Sequence, residues 1–128
     1  MKLGRIELEG LTEQLKPLEL AKSFQEVAAD KKAYKPVRIS LRGKTTIADY
    51  FVVCEGETDR QVKAIADAIV ERGRDLGLRP LSISGYEEGA WVLIDFDAVL
   101  VHVMLPGERA FYDLEALWAA TVRHRAAS

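Results

Sequence analysis

Apolar and polar positions follow two periods along this chain, and the switches between them mark out helices and strands. Pro17 suits a first helical turn, where its missing N–H is not needed, and Leu20, Phe24, Val27 and Ala28 follow at helical spacing. This helix is expected to end near Lys32, because the residue before Pro36 avoids helical geometry. Val37–Leu41 alternates as a strand and Gly43-Lys44 turns the chain. Asp49–Glu55 is apolar enough for a central strand. Thr58 and Gln61 have the capping-box spacing and open the clearest helix, with Val62, Ile65, Ala66, Ile69, Val70, Gly73 and Leu76 as its buried stripe. Gly77 suits the left-handed cap at its end. Leu81–Ser84, Trp91–Phe96 and Val99–Leu105 read as strands, the last two joined tightly around Asp97-Ala98. Arg109–Trp118 reads as a closing helix that turns Phe111, Leu114 and Trp118 to the core.

That order predicts a single α/β domain, a mixed sheet of about five strands with helices on one face or both. The expected divisions are an N-terminal arm at 1–15, the domain at 16–120 and a short tail at 121–128. At 128 residues such a domain buries a core without disulfides or metals. Cys54 is the only cysteine, in an apolar strand, and reads as a small buried side chain. No run has the length and hydrophobicity of a signal peptide or a membrane span, so a cytoplasmic location without membrane contact is expected.

Charge changes the picture more than composition does. The net charge of −2 hides a segregation: residues 1–44 hold ten Lys/Arg against six Asp/Glu. Residues 80–108 hold no Lys/Arg and five carboxylates, Glu87, Glu88, Asp95, Asp97 and Glu108. This second stretch also contains the most strand-like sequence of the chain. Phosphates would be repelled there, so a surface built from it suits a basic protein rather than a nucleic acid.

Among candidate chemistries, Asp95-Phe96-Asp97 comes first. Carboxylates at i and i+2 on a strand share a face, as two-metal phosphoryl transfer requires. The upstream turn Gly56-Glu57-Thr58 is almost forty residues away, and no cation follows until Arg109 to neutralise a triphosphate. A strand end with an acidic turn is the better reading. His102 has no second histidine nearby, Ser82 and Ser84 lack a nucleophile-elbow pattern, and Gly43-Lys44-Thr45 lacks the rest of a phosphate loop. No catalytic residue, metal or cofactor is indicated. Tyr86, Trp91 and Tyr112 fit either an interaction surface or the edge of a core.

The chain resembles the ribosomal silencing factor S (Iojap-like) family. The likeness rests on Asp30-Lys-Lys-Ala33, Ala48-Asp-Tyr-Phe51, Gly56 with Arg60-Gln-Val62, Ala64-Ile-Ala-Asp67, Trp91-Val-Leu-Ile-Asp95, Val101-His-Val103 and the segment from Arg109 to Trp118. The resemblance implies a nucleotidyltransferase-like α/β fold without catalytic machinery, often dimeric. It implies binding to the large ribosomal subunit through universal large-subunit protein fourteen, which blocks joining of the small subunit, with subunit assembly or a nucleotide-binding enzyme as the alternatives. The expected partner residues are Tyr86, Trp91, Asp95, His102, Arg109 and Tyr112, with no direct nucleic-acid contact required. Two departures stand out: Asp97 replaces the family's usual glycine and Ala98 its usual aspartate, and Pro36 enters the first strand.

Overall fold

The computed structural model describes residues 16–118; the expected arm at 1–15 and tail at 121–128 lie outside the described residues. The elements are α1 (Pro17–Asp30), β1 (Tyr34–Ser40), β2 (Tyr50–Glu55), α2 (Asp59–Asp75), β3 (Ser82–Ser84), β4 (Trp91–Asp95), β5 (Val99–Met104) and α3 (Pro106–Tyr112). The strands form one mixed sheet in the order β1-β2-β5-β4-β3. Only β2 and β5 are parallel; the other neighbours run antiparallel. The predicted single α/β domain with five strands is what the chain adopts.

The local signals explain most boundaries. Thr58 Oγ1 accepts from the Gln61 N–H at 3.1 Å, while Gln61 Oε1 accepts from the Glu57 N–H at 2.7 Å, one residue ahead of the usual capping-box donor. At the other end of α2, Gly77 takes φ 81, and the N–H groups of Gly77 and Leu78 reach the carbonyls of Arg74 and Gly73. That pair of bonds is the Schellman arrangement and satisfies carbonyls the helix would otherwise leave bare.

Helices α1 and α2 cover one face of the sheet. Leu20, Ala21, Phe24 and Ala28 from α1 and Val62, Ile65, Ala66 and Ile69 from α2 pack on Val52, Cys54, Val92, Ile94, Val99, Val101 and Val103. Phe24 and Phe96 stack with ring centroids 4.6 Å apart. Gly73 lets Phe96 in: a Cβ there would lie 2.7 Å from the ring. Burial pushes the Cys54 thiol up to about 12, as an inert core residue requires.

Two expectations need correction. Strand β1 begins at Tyr34, not Val37, and contains Pro36; a register slip between Tyr34 and Val37, with Lys35 at φ 44, admits the proline. An edge strand tolerates this because one side of it has no ladder to feed. The closing helix is not continuous. Asp113 sits at φ 45, ψ 58 and breaks it into α3 and a further helical turn at 114–118. The break turns Phe111 outward to 80% exposure, whereas Leu114 and Trp118 stay against the sheet. Asp97 falls outside β4, in the turn to β5, which is the strand end with an acidic turn expected for Asp95-Phe96-Asp97.

Candidate protein-docking face

Strand alternation assigns the side chains of the second face. Registers across β1, β2, β5 and β4 align Val37, Val53, His102 and Leu93 in one row, and Ile39, Phe51, Leu100 and Asp95 in the next. Met104 and Trp91 form part of a third. Among the described residues no long helix covers these rows; Tyr112, Leu114 and Trp118 from the C-terminal segment lie over them, with Leu41 and Ala48 closing one end.

His102 sits at the centre, only 4% exposed. Its Nδ1 accepts the indole N–H of Trp91 at 3.1 Å. Since an indole nitrogen can only donate, the neutral ring must carry its proton on Nε2. That Nε2 is buried and has no hydrogen-bond partner among the described residues. Phe51 meets the imidazole edge to face, with centroids 4.4 Å apart, and Trp118 in turn meets Phe51 at 5.8 Å. Burial drives the His102 pKa down from 6.5 to about 4, so the ring stays neutral.

Trp91 is half-buried, held between His102 and the ring of Tyr112, whose centroid is 4.7 Å away. Tyr112 itself is 46% exposed. Asp95 is half-buried at the acidic rim. Its Oδ1 accepts the Asp97 N–H at 2.7 Å, which steadies the left-handed Asp97 at φ 73. The bond is made by a backbone N–H and so holds the turn whatever residue stands at 97, while aspartate is among the few non-glycine types that tolerate left-handed geometry.

Four of the six expected partner residues thus share one face: Trp91, Asp95, His102 and Tyr112. The other two do not join them as contacts. Tyr86 packs with the helix-side core and donates to Asp67 on α2 at 2.8 Å, beside a shallow hollow of about 460 Å³. Arg109 is buried and spent inside the chain. Its fork donates to Glu115 and to the carbonyls of Tyr34 and Lys35 at 3.0–3.2 Å, and it lies 3.5 Å from Glu55. It bolts the C-terminal segment, which carries Tyr112, to the ends of β1 and β2. Phe51, Leu93 and Leu100 were missed as face residues; period-two alternation within β2, β4 and β5 would have aligned them with Trp91 and His102.

Among the described residues, no group of three His, Cys, Asp or Glu is placed to hold a metal, and no helix is long and apolar enough to cross a membrane. The arrangement is an α/β domain whose second sheet face carries aromatic side chains, with Asp95 at one end. The chain belongs to the RsfS family, described as ribosomal silencing factor during starvation, whose pattern matches residues 14–127. A "Ribosomal silencing factor RsfS" from Halalkalibacterium halodurans is 40% identical over 100 residues, covering 78% of this chain and 86% of its own. A crystal structure of a Chromobacterium violaceum protein superposes with a TM-score of 0.79 at 35% identity, covering 81% of this chain and 87% of that one. A mouse protein named "Mitochondrial assembly of ribosomal large subunit protein 1" is 34% identical over 73 residues, 55% of this chain and 32% of its own.

Proposed function

We propose that this chain silences ribosomes sterically, without chemistry of its own. Its open sheet face docks on universal large-subunit protein fourteen, at the surface that meets the small subunit, and a domain of this size excludes the small subunit from that place. The observation that carries the reading is the half-buried Trp91 packed against the exposed ring of Tyr112, with Asp95 on the same sheet face, in a member of the RsfS family. Trp91 and Tyr112 supply contact area already fixed in orientation, and Asp95 with its acidic neighbours complements a basic protein. His102 and Arg109 are positioning residues. The free protein pairs as a homodimer in the cytoplasm and uses the same apolar face to do so.

The test is retention on separated ribosomal subunits, followed by a subunit-joining assay. Because Trp91 is half-buried, Trp91→Ala removes packing as well as a contact, so Tyr112→Ala is run beside it. Each truncation is expected to weaken large-subunit binding by about tenfold or more. Retention on neither subunit by the native protein refutes the reading; unchanged binding by both folded variants refutes the assignment of the face. The name of the mouse relative favours one second reading, a role in large-subunit assembly. Under that reading, depletion of the protein leaves incomplete large subunits rather than excess joined ribosomes.

A further inference from the structure

The acidic stretch has a counterpart of opposite sign. Residues 31–48 hold six cations, Lys31, Lys32, Lys35, Arg38, Arg42 and Lys44, and no carboxylate. The sheet order sets much of the two stretches apart: the basic one forms the β1 edge and the loop after it, while β3 and β4 of the acidic one lie at the opposite edge. They meet at one end, where the Ala98 carbonyl accepts from the Asp49 N–H at 2.8 Å, and β5 of the acidic stretch runs through the sheet centre. Residues 16–49 carry eight Lys/Arg against four Asp/Glu, and residues 50–118 carry six against thirteen.

The cations of the β1 edge are mostly spent on neutral groups. Arg38 donates to the amide oxygen of Gln25 at 2.6 Å, and Lys44 donates to the Ser40 carbonyl at 2.5 Å. Lys35 lies over the ring of Tyr34, which is 55% exposed, and only Arg42 faces a carboxylate, Asp49, at 3.6 Å with both side chains largely in water. Lys35 and Arg38 stand on the seven-residue strand, roughly 23 Å long, with Arg42 and Lys44 in the loop beyond its end, a spread long enough to meet several phosphates. A row of this kind suits a phosphate backbone, since backbone recognition needs positive charge along a line and no particular sequence.

We infer that the β1 edge and the 41–48 loop bind structured RNA of the large subunit, beside the protein that the open face engages. This rests on the ribosomal reading above and departs from the sequence-based expectation that no direct nucleic-acid contact is required. The molecule then bridges two surfaces of opposite sign, a basic protein on its acidic side and RNA phosphates on its basic side.

The test compares the native protein with the triple variant Arg38→Gln/Arg42→Gln/Lys44→Gln across 50–300 mM KCl. All three positions are exposed or half-exposed, and thermal melting checks that the variant folds. The probes are purified large subunits and, separately, a protein-free 20-base-pair RNA duplex of arbitrary sequence. The native protein is expected to bind both, and the variant's log–log salt slope on subunits is expected to be shallower by about two to three, near one per lost phosphate contact. The variant should lose duplex binding, whereas Tyr112→Ala should keep it. Subunit binding with an unchanged salt slope, or no duplex binding by the native protein, overturns the inference while the ribosomal reading stands. Duplex binding without subunit retention refutes the ribosomal reading instead. Concentration-dependent self-association that the triple variant abolishes, with subunit binding unchanged, assigns the edge to a second copy and overturns the RNA contact.

Discussion

The buried imidazole at the centre of the face makes stability depend on pH in a way that can be isolated. His102 is held neutral, with its pKa lowered from 6.5 to about 4 by burial. A group with a depressed native pKa that is neutral above it binds protons more readily in the unfolded chain. Its contribution is therefore fully present above pH 6.5 and is lost as pH falls toward 4. The full shift corresponds to roughly 3 kcal/mol, and at pH 5 about 2 kcal/mol of it is already lost. Urea unfolding at pH 8 and pH 5, followed by tryptophan fluorescence, measures the loss in the native protein. His102→Asn and His102→Phe remove the titrating group, and carboxylates that also titrate cancel in the difference between native protein and variant. The native protein should lose about 2 kcal/mol more than either variant between the two pH values. A difference below about 0.5 kcal/mol in both variants would falsify the claim that this ring is buried, neutral and short of an acceptor.

Two further outcomes follow from single residues. Arg109→Ala strips Glu55 and Glu115 of their partner and should destabilise the domain by about 3 kcal/mol. It should also free residues 106–118, read as faster amide exchange there than in β5; uniform exchange would mean that the segment is held by its aromatic contacts instead. Asp97→Gly relieves a non-glycine φ of 73 and keeps the backbone N–H bond to Asp95, so it should raise stability by up to about 1 kcal/mol. Asp97→Ala keeps the same bond but lacks aspartate's tolerance of left-handed geometry, so it should melt below the native protein; a lowered melting point for the glycine variant would remove the strain argument.

The fold was legible because its signals are local. The capping residues of α2, the apolar stripe behind them and the tight β4–β5 turn each depend on neighbours in sequence. The face was only half legible. Trp91 stood out by residue type, but its partners His102 and Tyr112 come from two other elements, one brought by the sheet register and one by α3, and Phe51 joins through His102. Tyr86 and Arg109 lie apart from these residues. Both have the chemistry of an interface residue, yet one pairs with a helix carboxylate and the other with carbonyls far away in sequence. The break at Asp113 was hidden because an aspartate has no strong signature for left-handed geometry, whereas a glycine would have announced it.

A buried donor without an acceptor costs about 1–3 kcal/mol, so an apolar residue at position 102 would give a more stable sheet. What the histidine supplies is an acceptor for Trp91. With its N–H engaged and Tyr112 against its ring, the indole is fixed before any partner arrives. Binding then spares the rotamer entropy of a large side chain, about 0.5–1.5 kcal/mol for each such group immobilised. The same bond removes the indole N–H as a contact for a partner, which leaves Trp91 to act through ring area alone. Specific polar contacts must therefore come from the rim, where Asp95 stands. On the proposed reading, the centre of the face provides rigid apolar surface, and the charge around it decides which protein can settle there.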